Sequence, residues 1–262
     1  MSHGFNSPDN TIGWIGNGGA MVERLDSSDQ PVGGAMYVGQ ASSASIALSS
    51  DKVEMMDMTY GTLGVAQSKV IKNTAELSMT LKSFNPDVLA LVLYGDVYKD
   101  IAVPGATASI KVFKESNAIV PGIISVLTSV TIKGEAEPLI EGQDYVISNG
   151  SLYFPKTSAI QDGDVVDVVY EKAAVRRIEG FTNTGVNVRI TFDGTNLAND
   201  DSPVKVVYHK VSLSPAAQRQ LLSSDYADQE IKGTLLVSKA VTGAGRSKLF
   251  VEEHVTAARS TG

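Results

Sequence analysis

Between Ala75 and Lys82 the sequence alternates without a break, with Ala75, Leu77, Met79 and Leu81 apolar and Glu76, Ser78, Thr80 and Lys82 polar. A period of two marks a strand with one buried and one wet face. A helix signal follows at once. Asn85 can cap it, Pro86 stands where a missing N–H costs nothing, Asp87 complements the dipole, and Gly95 can take the left-handed conformation that ends it. Upstream, the strand through Ile46 and Leu48 leads into Val53–Val65. That segment carries Met55, Met56, Met58, Tyr60, Leu63 and Val65, with no helical or strand period long enough to bury them all. These side chains call for a partner surface.

The rest of the chain reads as further β-structure. Residues 1–34, rich in Gly, Ser, Asn and Asp, are expected as an extended N-terminal arm, with Trp14 as its anchor on a neighbour or on its own core. The flanking stretches 35–105 and 173–262 are expected to form one main β domain. Between them, 106–172 changes texture to short β-branched runs and is expected as a small inserted β subdomain. There Asp144–Ser148, Asn149-Gly150 and Ser151–Phe154 give a hairpin signal, because Asn-Gly accepts the positive φ angles of a tight turn. Val186, Val188, Ile190 and Phe192 alternate with polar residues as a half-buried strand. Ser214-Pro215 is expected to start a short helix through Leu222, and strands are expected through Leu235 and through Phe250-Val251. The fold class is therefore mainly β, a sandwich or barrel with one flanking α-helix at about 85–95 and an inserted small β subdomain.

Composition narrows the function. The chain has 262 residues, 43% hydrophobic, enough for a real core. With 22 basic against 29 acidic side chains its formal net charge is −7, which argues against gripping nucleic acid by phosphate neutralisation. It leaves open a surface past which DNA slides. There is no cysteine, so disulfides and thiolate metal sites are excluded. The N-terminus has no basic, apolar leader and no segment approaches the roughly 20 apolar residues of a membrane helix, so the chain is expected in the cytoplasm until assembled.

No chemistry is legible. His3, His209 and His254 lack the spacing of paired metal ligands. Gly243-Ala-Gly-Arg-Ser-Lys248 lacks the full phosphate-loop spacing and the helix that must follow it, and the acidic turn from Asp193 to Asp201 does not match an EF-hand loop. No nucleophile elbow or carboxylate–histidine cluster is visible. The reading is of a protein that is not an enzyme, with no cofactor and no metal.

Two blocks of residues resemble a known family. Tyr37-Val38-Gly39, the strand through Ile46 and Leu48, the loop ending near Lys69, the strand Ala75–Leu81 and Pro86–Gly95 are similar, in that order, to the tail tube (major tail) proteins of long-tailed, non-contractile bacteriophages. Val207–Pro215, the leucine-rich turn at Leu221 and Leu222, and Glu230–Val237 resemble the second half of the same family. The two blocks together cover over half the chain and contain no chemical signature, so their order carries much of the resemblance.

What the resemblance implies is a virion structural protein with a tail-tube-like β domain. It would form homohexameric rings, stacked into a tube through which DNA passes during ejection. Its partners would be itself, the tape measure protein and the tail-tip and terminator proteins, with DNA only in transit and no membrane. Assembly would occur in the cytoplasm of the host bacterium. Closing sheet edges around a ring removes an aggregation hazard. The contact candidates between rings or subunits are Trp14, Met55, Met56, Met58, Tyr60 and Leu63. The lumen-facing candidates are Glu76, Ser78, Thr80 and Lys82, with the alternative that the helix or a neighbour covers their face. The inserted subdomain would decorate the outside, since mass in the lumen would obstruct DNA. Two alternatives stand beside this one. A β-rich binding or adhesin module would need exposed aromatic clusters, whereas aromatics are 6% of the chain; the inner tube of a contractile injection system would differ in having a sheath around it.

Overall fold

The computed structural model describes residues 13–58, 64–148, 150–199 and 201–255. The chain divides into two compact units, one made of the residues up to Asp96 and from Ile178 onward, the other of Val97–Arg177.

The first unit is a large antiparallel sheet. Its strands are β1 (Gly16–Arg24), β2 (Met36–Tyr37), β3 (Ala41–Asp57), β4 (Gly64–Leu81), β13 (Asn187–Asn196), β14 (Ser202–Ser214), β15 (Gln229–Leu235) and β16 (Phe250–His254). Neighbours follow the order β2-β1-β13-β14-β15-β4-β3, and β16 pairs with β14 beyond the end of β15. The alternating residues of β4 do what their period requires: Ala75, Leu77, Met79 and Leu81 are buried in one cluster with Ala20, Val22, Val188, Ile190, Val211 and Ile231.

Among the described residues there is one helix, α1 (Pro86–Val92), held by its ends as much as by its own propensity, because seven residues are too few to be stable alone. Asn85 Oδ1 accepts the Val88 N–H at 2.8 Å, and Val88, Ala90, Leu91 and Val92 are buried. Its C-terminus differs from expectation. Tyr94, not Gly95, takes the left-handed conformation, with φ 52°, and its hydroxyl donates to the Leu213 carbonyl, which fixes the ring. Gly95 is required for a different reason: a Cβ there would stand 2.3 Å from the Glu179 carbonyl oxygen.

Three other expectations are corrected. The segment expected as an extended arm contains β1, whose Ala20 and Val22 are core residues and whose register with β13 runs unbroken from Gly16↔Asn196 to Arg24↔Val188; residues 1–12 lie outside the described residues. Val53–Asp57 and Gly64–Lys69, expected as parts of a loop ending near Lys69, are strand: the first continues β3 and the second begins β4. The helix expected from Ser214 does not form. Ser214 ends β14, the Ala216 N–H goes to the Val92 carbonyl, and Leu221 and Leu222 are exposed.

The second unit comprises most of β5 (Asp96–Asp100), then β6 (Val103–Lys111), β7 (Ser116–Ile119), β8 (Ile124–Ile132), β9 (Val146–Ser148), β10 (Ser151–Phe154), β11 (Val165–Lys172) and the start of β12 (Val175–Glu179). Two three-stranded sheets, β6-β11-β8 and β7-β10-β9, share a core around Val130, Leu152, Phe154, Ile160, Val166 and Val168. β9 and β10 pair antiparallel, with Leu152 opposite Ile147, while Asn149 of the expected Asn-Gly turn lies outside the described residues. β5 and β12 form a two-stranded ribbon where the chain departs and returns. The expected insertion, 106–172, lies inside this unit, whose limits are wider because β5 and β12 bracket it. Among the described residues no helix is long and apolar enough to cross a membrane.

Candidate assembly surfaces

β15 pairs with β4 only from Thr234↔Glu76 to Gln229↔Leu81. Beyond Glu76, from Gly64 to Ala75, β4 has β3 as its only partner among the described strands. The two strands continue as a ribbon about 40 Å long at the usual rise of about 3.3 Å per residue. Every residue from Ala47 to Asp57 and from Val65 to Asn73 is exposed. Two strands alone are marginally stable in water. This ribbon is secured by its sheet at one end and by cross-strand contacts along its length, such as Ser49 Oγ with Thr74 Oγ1 at 2.6 Å and Ser50 Oγ donating to Asn73 Oδ1 at 2.7 Å. The register shifts at Asp51/Lys52 and at Met55/Met56, and such bulges raise the local twist.

Of the six contact candidates, the structure places three on the ribbon. Met55 opposite Gln67 and Met56 opposite Val65 are strand residues, and Met58 follows directly; all three are exposed. Tyr60 and Leu63 lie outside the described residues. Trp14 is elsewhere, before β1, with its ring edge-on to His254 at 5.9 Å and largely exposed. Its backbone is tied to its own chain by the buried Asn196, which accepts the Ile15 N–H at 3.0 Å and donates to the Gly13 carbonyl at 3.1 Å. Sequence reasoning passed over Leu48, Val70 and Ile71, which are also exposed along the ribbon. Their mixed spacing carried no signal because neither ribbon face is buried.

Glu76, Ser78 and Thr80 do share one face, opposite the core, and stand across from Thr234, Lys232 and Glu230 of β15. It is a face of alternating charge. Ser78 Oγ donates to Glu230 Oε1 at 3.3 Å, and Lys232 Nζ lies 2.8 Å from the same oxygen. Lys82 is drawn into an ion pair with Asp228 at 2.6 Å, whose carboxylate holds the ammonium above its ordinary range. The four candidates are therefore solvent-facing in this chain, two of them engaged by neighbours on or just before β15.

β3 is the sheet's long edge, and its outer side has no partner among the described strands. Two clefts of the first unit bear on its surface chemistry. One of about 460 Å³ lies against His209, Arg246, Ser247 and Glu253; burial, with a smaller contribution from Arg189, holds His209 below its ordinary pKa, so its ring is neutral at pH 7. The other, about 430 Å³, has Ala20, Leu77, Met79 and Ile190 among its lining and Ser42, Ser43 and Asn17 along its border. No group of three His, Cys, Asp or Glu among the described residues is placed to hold a metal.

No curated protein matches the chain. A family model described as Protein of unknown function UCP028589 matches residues 14–251, and the chain belongs to that family.

Proposed function

We propose that this protein is a structural subunit that self-assembles into stacked six-fold rings, the tail tube of a long-tailed bacteriophage, and that it works as a conduit wall and not as a catalyst. The observation that carries this reading is the β3–β4 ribbon. A strand pair reaching about 40 Å past its sheet, exposed on both faces and bearing Met55, Met56 and Met58 at its far end, costs a lone subunit order and solubility. In a ring it gains a neighbouring surface, and the free edge of β3 gains a strand to pair with. Methionine suits such a contact because its unbranched side chain adapts to whatever it meets. The sequence resemblance supports the same reading, since its two blocks include the base of this ribbon, α1 and β15.

On this reading Glu76, Ser78, Thr80 and Lys82 face the lumen, where a hydrated surface of mixed and net acidic charge gives DNA nothing to adhere to. The protein is a virion component, assembled in the host cytoplasm with tape measure and tail-tip proteins, and the Val97–Arg177 unit decorates the outside. Negative-stain electron microscopy of the concentrated full chain, with sedimentation alongside, tests it. Hollow tubes or six-fold rings are expected. A persistent monomer at high concentration, unchanged when seeded with tail-tip complex, would overturn the proposal and favour a β-rich binding module.

A further inference from the structure

The loop between β15 and β16, residues 236–249, carries Lys239, Arg246 and Lys248 and no acidic residue, in a chain whose net charge is −7. It is also closed and braced. The Ser238 N–H donates to the Lys248 carbonyl at 3.0 Å and the Ala240 N–H to Ser238 Oγ at 3.2 Å, while the buried Asp29 carboxylate accepts the Lys239 N–H at 2.7 Å. Positive φ at Gly243, 116°, and at Gly245, 77°, turns the tip, a conformation that glycine takes without strain. The His209 N–H, donating to the Leu249 carbonyl at 3.0 Å, ties the far end of the loop to β14.

Held this way, the loop lines the cleft of about 460 Å³ together with His209 of β14 and Val251 and Glu253 of β16. Its donors are uncommitted. Ser247 Oγ accepts the Leu249 N–H at 3.3 Å and the Phe250 N–H at 3.4 Å, which leaves the hydroxyl's own proton to give. The Arg246 guanidinium, the Thr242 hydroxyl and the His209 ring have no hydrogen-bond partner among the described residues. A cleft of this size with a few convergent polar groups is the usual form of a small-ligand site.

Charge selects the ligand. Burial first, and the charge of Arg189 second, keep a proton off the His209 ring, so the cleft already disfavours added positive charge. Arg189 also has a buried Nε with no hydrogen-bond partner. Glu253, the one acid in the lining, stands opposite Lys205 in the β14–β16 register, so that pair adds no net charge. Arg246 is the cation left over. A guanidinium, two hydroxyls and an imidazole N–H suit a tetrahedral oxyanion, whose oxygens accept from several directions at once. We propose that this cleft binds a phosphate-class anion through Arg246, Ser247, Thr242 and His209. The loop lacks the helix N-terminus of a phosphate loop, so side chains carry the recognition.

Equilibrium dialysis of the full chain against labelled inorganic phosphate, at constant ionic strength, reads the site in monomer and assembly alike, so its outcome is separate from that of the tube reading. Saturable binding to a single class of site is expected. Arg246→Ala should weaken it about tenfold or more, and Glu253→Gln should tighten it severalfold, both with an unchanged melting temperature. Lys72→Ala, which removes a cation from the ribbon, should leave binding as it was. Non-saturating uptake, or an equal loss in Lys72→Ala and Arg246→Ala, means diffuse charge attraction and overturns the site. Weaker binding by Glu253→Gln overturns it too, since an anion cannot depend on that carboxylate. Duplex DNA as competitor identifies the source of the phosphate: displacement assigns the cleft to backbone phosphates, and no displacement assigns it to a free phosphoryl group, the site standing in either case.

Discussion

Replacing Met55, Met56 and Met58 together with threonine removes the apolar end of the ribbon while keeping strand propensity. The three side chains are 57%, 49% and 80% exposed, so between them they present about two whole methionines to a neighbour. At about 1.5–3 kcal/mol for each fully buried side chain, their gross contribution to one contact is about 3–6 kcal/mol. Fixing three flexible side chains costs about 0.5–1.5 kcal/mol each, which leaves on the order of 1.5 kcal/mol per contact. Since 1.4 kcal/mol is a factor of ten, the concentration at which the variant assembles should rise about tenfold. The isolated subunit should hardly notice, because exposed substitutions away from packed contacts stay within about 0.5 kcal/mol. Sedimentation velocity over a concentration series reads the first quantity and urea unfolding the second. An assembly threshold within twofold of wild type would refute the reasoning. So would a loss of more than about 1 kcal/mol in the unfolding experiment, which would mean that these methionines support their own chain.

Three further outcomes are expected. Asn85→Ala deletes the cap of a seven-residue helix and should cost about 1 kcal/mol, a fall of about 2–4 °C in a thermal melt for a chain of this size. Asp29 is buried, with its carboxylate 2.7 Å from Lys210 Nζ and accepting the Lys239 N–H at 2.7 Å; the Lys210 hydrogen bond foremost holds its pKa below the ordinary 3.8. The unfolded chain therefore takes up this proton first, so the stability Asp29 confers is present above about pH 3.8 and is lost as pH falls below it; unfolding of Asp29→Asn between pH 2.5 and 5 should lack that acid-side slope. Phe154→Ala empties the centre of the second core and should cost about 3–5 kcal/mol there, read as early loss of hydrogen-exchange protection in Val97–Arg177 with the first unit's protection intact.

How far the sequence foretold the structure depended on whether a face was buried. β4 below Glu76 and β13 were legible because their apolar residues alternate against a core, and α1 because its cap and proline are local signals. The upper ribbon was illegible for the converse reason: with water on both faces, nothing selects a period of two, and Val53–Asp57 looked like a loop. β1 was hidden by its glycines. At Gly18 a Cβ would stand 2.5 Å from the Asp193 carbonyl oxygen, so the residue that reads as a turn is there because two strands approach closely. The segment 214–228 failed differently: Ser214-Pro215 has a proper helix start, but Ser214 is taken up by β14 and the Ala216 N–H by the Val92 carbonyl. Of the surface residues, the methionines were found by their lack of internal partners, whereas Leu48, Val70 and Ile71 became visible only once the ribbon's exposure was known.

The β5–β12 ribbon makes the second unit a detachable passenger. Paired strands run about 4.8 Å apart, so the chain leaves for its excursion and comes back through what amounts to a single gate. A short turn could shut that gate, and any other module whose own ends lie side by side could be spliced through it. Evolution and protein engineers thus share one address on this chain at which cargo can be exchanged while the core strands on either side keep their register.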